Sequence, residues 1–383
     1  MNQQKIFHYL FLLLLLSGCD EKKEQGMDIN DLKLNQIQVI GSHNSYRMRP
    51  IEDMFDLLMV LNSELAAQLD YNHPSFDVQF SHHGIRQIEI DVYHDPDGGL
   101  FYYRKGNFFI GLPEASNIQK LLDPGLKVLH FPDIDYGTNY YSFTDALQEI
   151  KDWSEEHSKH LPIFVLIEVK DEGVPDKFPI LSFFGFIQPL EFGIEALNTI
   201  DKEIRKVFGS ELERVITPDD VRGNNESLEE VILNDGWPTI GESRGKVMFG
   251  LDNQGKVLKD YISDHPALKG RIMFVEADPG TPEAAFLGIN TPKPEIANFV
   301  KSGYLVRTRA DADTKQARTG DDVRRNDALS SGAHFISTDY YSPDSRSEIS
   351  EKWSNYSVRL PGNVIARINP VNGSKEFEGM EIE

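Results

Sequence analysis

"IFVLIEVK", residues 163 to 170, is apolar for its first five positions and then sets Glu168 and Lys170 on alternate places. A run of that kind suits a strand buried on both faces of a parallel sheet. Seven further runs read the same way: "IQVIG" from residue 37, "IEIDVY" from 88, "LKVLHF" from 126, "KVMFGLD" from 246, "RIMFVEA" from 271, "YLVRTR" from 304 and "HFISTD" from 334. Helical spacing of apolar residues appears between them, at 54–70, 143–157, 195–209, 294–303 and 321–332. Gly303 and Gly332 stand where helices stop, and Thr144 stands where one can be capped. Alternating strands and helices predict a (β/α)8 barrel. The stretches after the second and fifth strands carry no strong helical pattern, so the barrel is expected to be distorted.

The chain has 383 residues and opens with Lys5 and the apolar run "IFHYLFLLLLL" at 6–16, which suits the core of a signal peptide and is short for a membrane span. "LSGCD" follows at 16–20 and resembles a bacterial lipobox, so Cys19, the one cysteine of the chain, is the expected lipidation site. This implies a lipoprotein signal peptide over 1–18, then the lipidated cysteine and a polar tether over 19–30. About 350 residues remain, with no internal linker, and are read as one domain, 31–383, in a monomer. The protein is expected in a bacterial cell envelope, membrane-anchored and facing the periplasm or the surface. A net charge of −22 argues against nucleic acid as a partner, because phosphate backbones require a dense basic footprint.

In a parallel barrel, reactive side chains gather at the C-terminal ends of several strands. His43 and Asn44 follow the first run, Glu89 and Asp91 lie in the second, His130 ends the third, Glu168 and Lys170 end the fourth, and Arg307 and Arg309 end the seventh. Alternation puts Glu89 and Asp91 on one face of their strand, and buried carboxylates so placed repel without a cation. The oxygen-only set Asn44, Glu89, Asp91 and Glu168 suits calcium ahead of magnesium or manganese. Two imidazoles near a hard cation, with Lys170 or Arg309, describe phosphodiester cleavage.

"GSHNSY" (41–46), "IEIDVY" (88–93), "VLHFPDID" (128–135) and "LIEVKD" (166–171), in this order, resemble the bacterial calcium-dependent phosphatidylinositol-specific phospholipases C. The likeness extends over nearly the whole chain after the tether. It implies that Asn44, Glu89, Asp91 and Glu168 hold calcium and that His43 and His130 flank the scissile phosphate. It also implies attack by the inositol 2-hydroxyl on its own phosphate, releasing diacylglycerol and a cyclic inositol phosphate. A metal-bound carboxylate is the expected base, His130 the acid and His43 the stabiliser of the phosphorane. Lys170 and Arg309 are carried over, by strand-end position, as contacts to phosphate or inositol hydroxyls. Inositol lipid without ring phosphates is expected, because no dense basic cluster stands ready for them.

Other motifs read as structure. "HDPDGG" (94–99) is turn chemistry, and "SHHG" (81–84) reads as a surface loop. Asp133 and Asp135 could orient His130 or cap the following segment, and the cap is preferred. The aromatics of "LSFFGF" and Trp237 could form an apolar rim or pack inside. Competing functions are a glycerophosphodiester phosphodiesterase on the same barrel and an inactive lipid-anchored binding protein. The first of these usually shows arginine after the first histidine, where this chain has Asn44.

Overall fold

The computed structural model describes residues 28–383, so the apolar leader, Cys19 and most of the tether lie outside the described residues. Strands β1 (Ile37–Ser42), β2 (Gln87–Tyr93), β3 (Lys127–Val128), β4 (Ile163–Val169), β5 (Val215–Ile216), β6 (Val247–Leu251), β7 (Met273–Val275), β8 (Phe286–Gly288), β9 (Leu305–Arg309), β10 (Phe335–Thr338) and β11 (Ala366–Ile368) join in one sheet. Eight parallel strands curl into a distorted half-barrel, and β5 adds a further parallel strand on β6. Its order is β1, β2, β4, β6, β7, β8, β9 and β10, with β10 pairing back onto β1. The seams are uneven: β2 and β4 pair from Gln87–Phe164 to Val92–Val169, whereas β1 meets β2 only at Gly41–Gln87. A single bridge, Glu276–Phe286, joins the β7 side to β8.

Two strands differ from the reading of the runs. "LKVLHF" is no barrel stave: β3 is two residues long and antiparallel to β2, with Val128 opposite Val92. The missing stave is β8, inside "AAFLG", whose three residues are too short to show any period. The first helical stretch is also broken, into Glu52–Leu61 and Ser63–Gln68, because the backbone of Asn62 is extended and its side chain accepts from Leu65 N at 3.0 Å. Ser142, not Thr144, caps Phe143–Glu156, accepting from Asp145 N at 3.1 Å; Thr144 already lies in the first turn. "SHHG" ends the helix Phe76–His83, with Gly84 as its left-handed cap. The stretch after β6 does hold a helix, Gly255–Ile262, while the one after β2 holds only 3-10 turns before β3.

The barrel floor is aromatic. Phe164 stacks on Phe335 with centroids 4.7 Å apart and lies 4.9 Å from Phe286, so three strands fill the interior with rings. Each such burial contributes about 1.5–3 kcal/mol. Alternation then carries β4 from this floor through Leu166 to Glu168 and Lys170, and so sets charge above an apolar base. Gly41 is required where β1 meets β2: a Cβ there would lie 2.0 Å from Gln87 Oε1 and 2.9 Å from its Cβ.

Candidate active site

The register that pairs β2 with β4 places Asp91 opposite Glu168, and alternation brings Glu89 to the same face. Donor oxygens of Glu89, Asp91 and Glu168 lie within 4.8 Å of one another. Asp91 is fully buried and neither of its carboxylate oxygens has a hydrogen-bond partner. Burial pushes its pKa well up, with Glu168 and Glu89 adding to the rise against the pull of Lys170. Asn44, just past β1, takes the left-handed backbone (φ 46°) that asparagine tolerates better than most residues, and its Oδ1 is likewise buried and unpaired. Orphaned buried oxygens of this hardness fit calcium, and no nitrogen or sulfur ligand competes within the set. Lys170 Nζ meets Glu168 Oε1 at 2.7 Å and Asp91 Oδ2 at 3.5 Å, which offsets part of the repulsion. Burial works against the Lys170 charge, yet Asp91 and Glu168 outweigh it and hold its pKa above the ordinary lysine value.

Glu89 is anchored from the floor side, where Arg307 Nη2 donates to its Oε2 at 2.5 Å. Its Oε1 faces His43 Nε2 at 3.6 Å. Burial raises the Glu89 pKa, but His43, Arg307, Arg309 and Lys170 together reverse this and hold it below the usual carboxylate value. Two hydrogen bonds lock the β1 end onto β2: Ser45 N donates to Glu89 O at 2.9 Å, and Glu89 N donates to Ser45 Oγ at 2.8 Å.

Each histidine has an aspartate behind it. His43 Nδ1 donates to Asp339 Oδ1 at 2.8 Å, and Arg309 donates Nη1–H to His43 Nε2 at 3.1 Å and Nη2–H to Asp339 Oδ2, also at 3.1 Å. This pattern selects the neutral tautomer with a bare Nε2. His130 arrives by a different route, since β3 runs antiparallel to β2 and turns the chain back from the barrel rim. Its Nδ1 donates to Asp135 Oδ2 at 2.6 Å, and the same oxygen accepts from Arg47 Nε at 2.7 Å. Arg47 is itself fixed by the carbonyls of Tyr71 and Leu69, both at 2.7 Å. Burial lowers the His130 pKa, opposed by the hydrogen bond and charge of Asp135.

The family model for "Phosphoinositide phospholipase C, Ca2+-dependent" matches residues 32–370. The chain belongs to that family. The solved calcium-dependent phosphoinositol-specific phospholipase C from a Gram-negative Pseudomonas species is similar in fold, at a TM-score of 0.52 and 14% identity, over 90% of this chain and 98% of that one. The calcium-dependent phosphatidylinositol-specific phospholipase C from Streptomyces antibioticus matches at 0.48 and 17% identity, over 80% and 95% of the two chains. No curated protein sequence matches the chain. The family is calcium-dependent, and the acidic triad of this phospholipase is able to hold the ion.

The structure brings together His43, Asn44, Glu89, Asp91, His130, Glu168, Lys170 and Arg309 around one cleft. His130 is not at the end of a barrel strand, as expected, but on the loop beyond β3. Asp135 orients His130 and caps no helix. Asp133 accepts from Lys105 N at 2.7 Å and Ile187 N at 2.8 Å, and so ties two loops together. Asp339 was missed by the sequence reading, although it ends "HFISTD" at the same strand-end position as the other polar residues. Arg47, in "NSYR", carried no sequence signal. Trp237 is buried, and Phe186 too, whereas Phe183 and Phe184 stand out into solvent.

Proposed function

We propose that this phospholipase cleaves phosphatidylinositol without ring phosphates, through a cyclic inositol phosphate, with His43 and His130 exchanging the protons. The observation that carries the reading is the pair of aspartate-backed histidines beside the orphaned oxygens of Asn44 and Asp91 and the carboxylates of Glu89 and Glu168. His43 Nε2 takes the proton of the inositol 2-hydroxyl as its oxygen bonds to phosphorus. Asp339 stabilises the imidazolium so formed. His130 Nε2 gives its proton to the glycerol oxygen as the phosphorus–oxygen bond breaks, while Asp135 holds Nδ1. Asp339 behind Nδ1 and the bare Nε2 it leaves favour His43 over a carboxylate as base. When bound, calcium supplies positive charge that offsets the phosphoryl oxygens. Arg309 and Lys170 face the same phosphate.

Lack of ring phosphates is supported by the cations that line the cleft: Lys170 is paired with Glu168 and Arg309 with Asp339, which leaves Lys177, over the Phe131 ring, as the one lining lysine or arginine among the described residues outside an ion pair, short of the basic cluster that ring phosphates require. Phosphorus NMR of the products, with and without calcium, tests the reading. A calcium-dependent cyclic phosphodiester signal is expected. Release of glycerol phosphate alone would move the enzyme to the glycerophosphodiester class.

The same reading takes Cys19 as lipidated and the enzyme as a monomeric lipoprotein of a bacterial envelope. Its support is the lipobox-like "LSGC" after the apolar run. Incorporation of labelled fatty acid that is lost in Cys19→Ser is the expected result.

A further inference from the structure

Glu89, Asp91 and Tyr93 alternate along β2 and so lie on one face of it. Two of them belong to the acidic triad. The third, the last residue of the strand, is 1% exposed and lines the cleft that holds His43 and His130. Its ring packs on Phe101, with centroids 5.2 Å apart, and on the apolar cluster of Leu121 and Leu129. Its hydroxyl has one proton to give and shares it between two main-chain carbonyls, that of His130 at 3.1 Å and that of Glu172 at 3.2 Å. These carbonyls lie on different loops: one carries the aspartate-backed histidine, and the other continues the chain from Glu168. The two loops depend on the hydroxyl unequally. Beside Glu168 the main chain is held three times more: Val169 N donates to Asn253 Oδ1 at 2.8 Å, Asn253 Nδ2 donates to Val169 O at 3.0 Å, and Lys170 N donates to Val92 O at 2.9 Å. Among the described residues, Tyr93 Oη is the one hydrogen-bond partner of the His130 main chain.

We propose that Tyr93 is the positioning residue of His130: its hydroxyl sets the height of that histidine over the acidic triad, so that Nε2 reaches the leaving oxygen of a phosphate held there. This rests on the reading of His130 as the acid. Asp135 fixes the imidazole at Nδ1, but Asp135 lies on the same loop as His130 and moves with it. Tyr93 instead ties the histidine to the strand that carries Glu89 and Asp91. A general acid acts only within hydrogen-bond reach of the atom it protonates, and a small displacement of it is costly. The glycerol alkoxide of a lipid needs that proton in order to leave. A nitrophenolate, with far lower proton affinity, leaves without it. The hydroxyl of Tyr93 is committed to two carbonyls and contributes nothing to headgroup binding, so its loss acts on kcat and only where the leaving group needs an acid.

Tyr93→Phe in the full-length chain keeps the ring and its packing and removes the hydroxyl alone. On phosphatidylinositol in mixed micelles, kcat should fall by up to about tenfold, as expected for loss of one neutral hydrogen bond, with KM unchanged. Thermal stabilisation by calcium should also be unchanged, because the main chain beside Glu168 keeps its bonds to Asn253 and Val92. Turnover of the nitrophenyl ester of inositol phosphate should stay at the wild-type rate. Tyr93→4-aminophenylalanine, whose N–H groups donate to the same carbonyls, should recover the lipid rate. His130→Ala sets the scale, with a large loss on the lipid and a small one on the nitrophenyl ester. If His130→Ala shows that difference while Tyr93→Phe slows neither substrate, or slows both alike, the proposal is overturned and the acid stands. Equal loss on both substrates in His130→Ala would overturn the reading of His130 as acid, and the proposal with it.

Discussion

Replacing Asp135 with asparagine separates the charge behind His130 from the geometry that holds it. Both His130 Nδ1 and Arg47 Nε reach the same oxygen, Oδ2, and Oδ1 is unpaired. An amide can place its oxygen there and keep both hydrogen bonds, so the substitution removes mainly the negative charge. Asp135 and Arg47 are both fully buried. Two unit charges about 4 Å apart interact by about 4 kcal/mol at an effective dielectric constant of about 20. Arg47 keeps the carbonyls of Tyr71 and Leu69, so a loss of about 2–4 kcal/mol in stability is expected. The difference between a charge-assisted and a neutral hydrogen bond is about 1–1.5 kcal/mol, which lowers kcat/KM about tenfold at neutral pH.

The pH dependence carries the sign. Asp135 raises the His130 pKa against the lowering by burial, so its neutralisation lets that pKa fall further. A proton donor with a lower pKa loses its proton earlier, so the alkaline limb of kcat/KM moves to lower pH. Asp135→Ala removes both bonds and should cost about 10²–10⁴, the range for loss of a positioned acid. The assay is kcat/KM against pH on phosphatidylinositol, with thermal unfolding in parallel. A variant that melts earlier yet keeps the wild-type rate and profile would show that His130 gives no proton.

Asp91→Asn should leave the metal-free protein at least as stable, because it removes a buried carboxylate whose repulsion by Glu89 and Glu168 is offset only in part by Lys170, and should abolish the calcium response, which at 100-fold over Kd is about 2.7 kcal/mol; calorimetry in chelator and in calcium reads both. Asp311, buried between Thr338 and Asp339 N, has its pKa pushed up to about 7 by burial first and by Asp339 next. The stability from its retained proton is complete below the ordinary carboxylate range and is lost as pH rises through about 7, so wild type should lose roughly 2–4 kcal/mol across that window and Asp311→Asn much less. A pH series of denaturant midpoints that is the same for both proteins would refute this. Glu383 binds Arg86 through Nε at 3.0 Å and Nη2 at 2.5 Å and accepts from Leu161 N at 2.7 Å. Glu383→Ala leaves the buried Arg86 without its carboxylate and should cost about 2–4 kcal/mol, with activity per folded molecule unchanged, as urea titration with active-site counting would show.

The staves β1, β2, β4, β6, β7, β9 and β10 were legible because a strand buried on both faces writes its environment into consecutive residues. The acids of β2 and β4 were legible for a related reason: charge interrupting a buried run is costly unless a cation or function compensates it. β8 escaped, since three residues show no period and its partners, Leu305–Arg307 and the Glu276 bridge, lie outside the run itself. "LKVLHF" was misread as a stave because local apolarity is the same whether a strand runs with its neighbour or against it.

Local residue order, then, settled which side chains stand at strand ends and which of them share a face, because pleat alternation depends on nothing beyond adjacent residues. Partnership needed the closed barrel. His43 meets Asp339 across 296 positions of sequence, and Arg307 reaches Glu89 across 218. Strand order and the path of the loops choose such partners, and neither leaves a mark on the residues nearby. The buried Arg47 that supports Asp135 is of this kind: its chemistry in isolation is that of any surface arginine, and burial against two carbonyls and one carboxylate turns it into a support for His130.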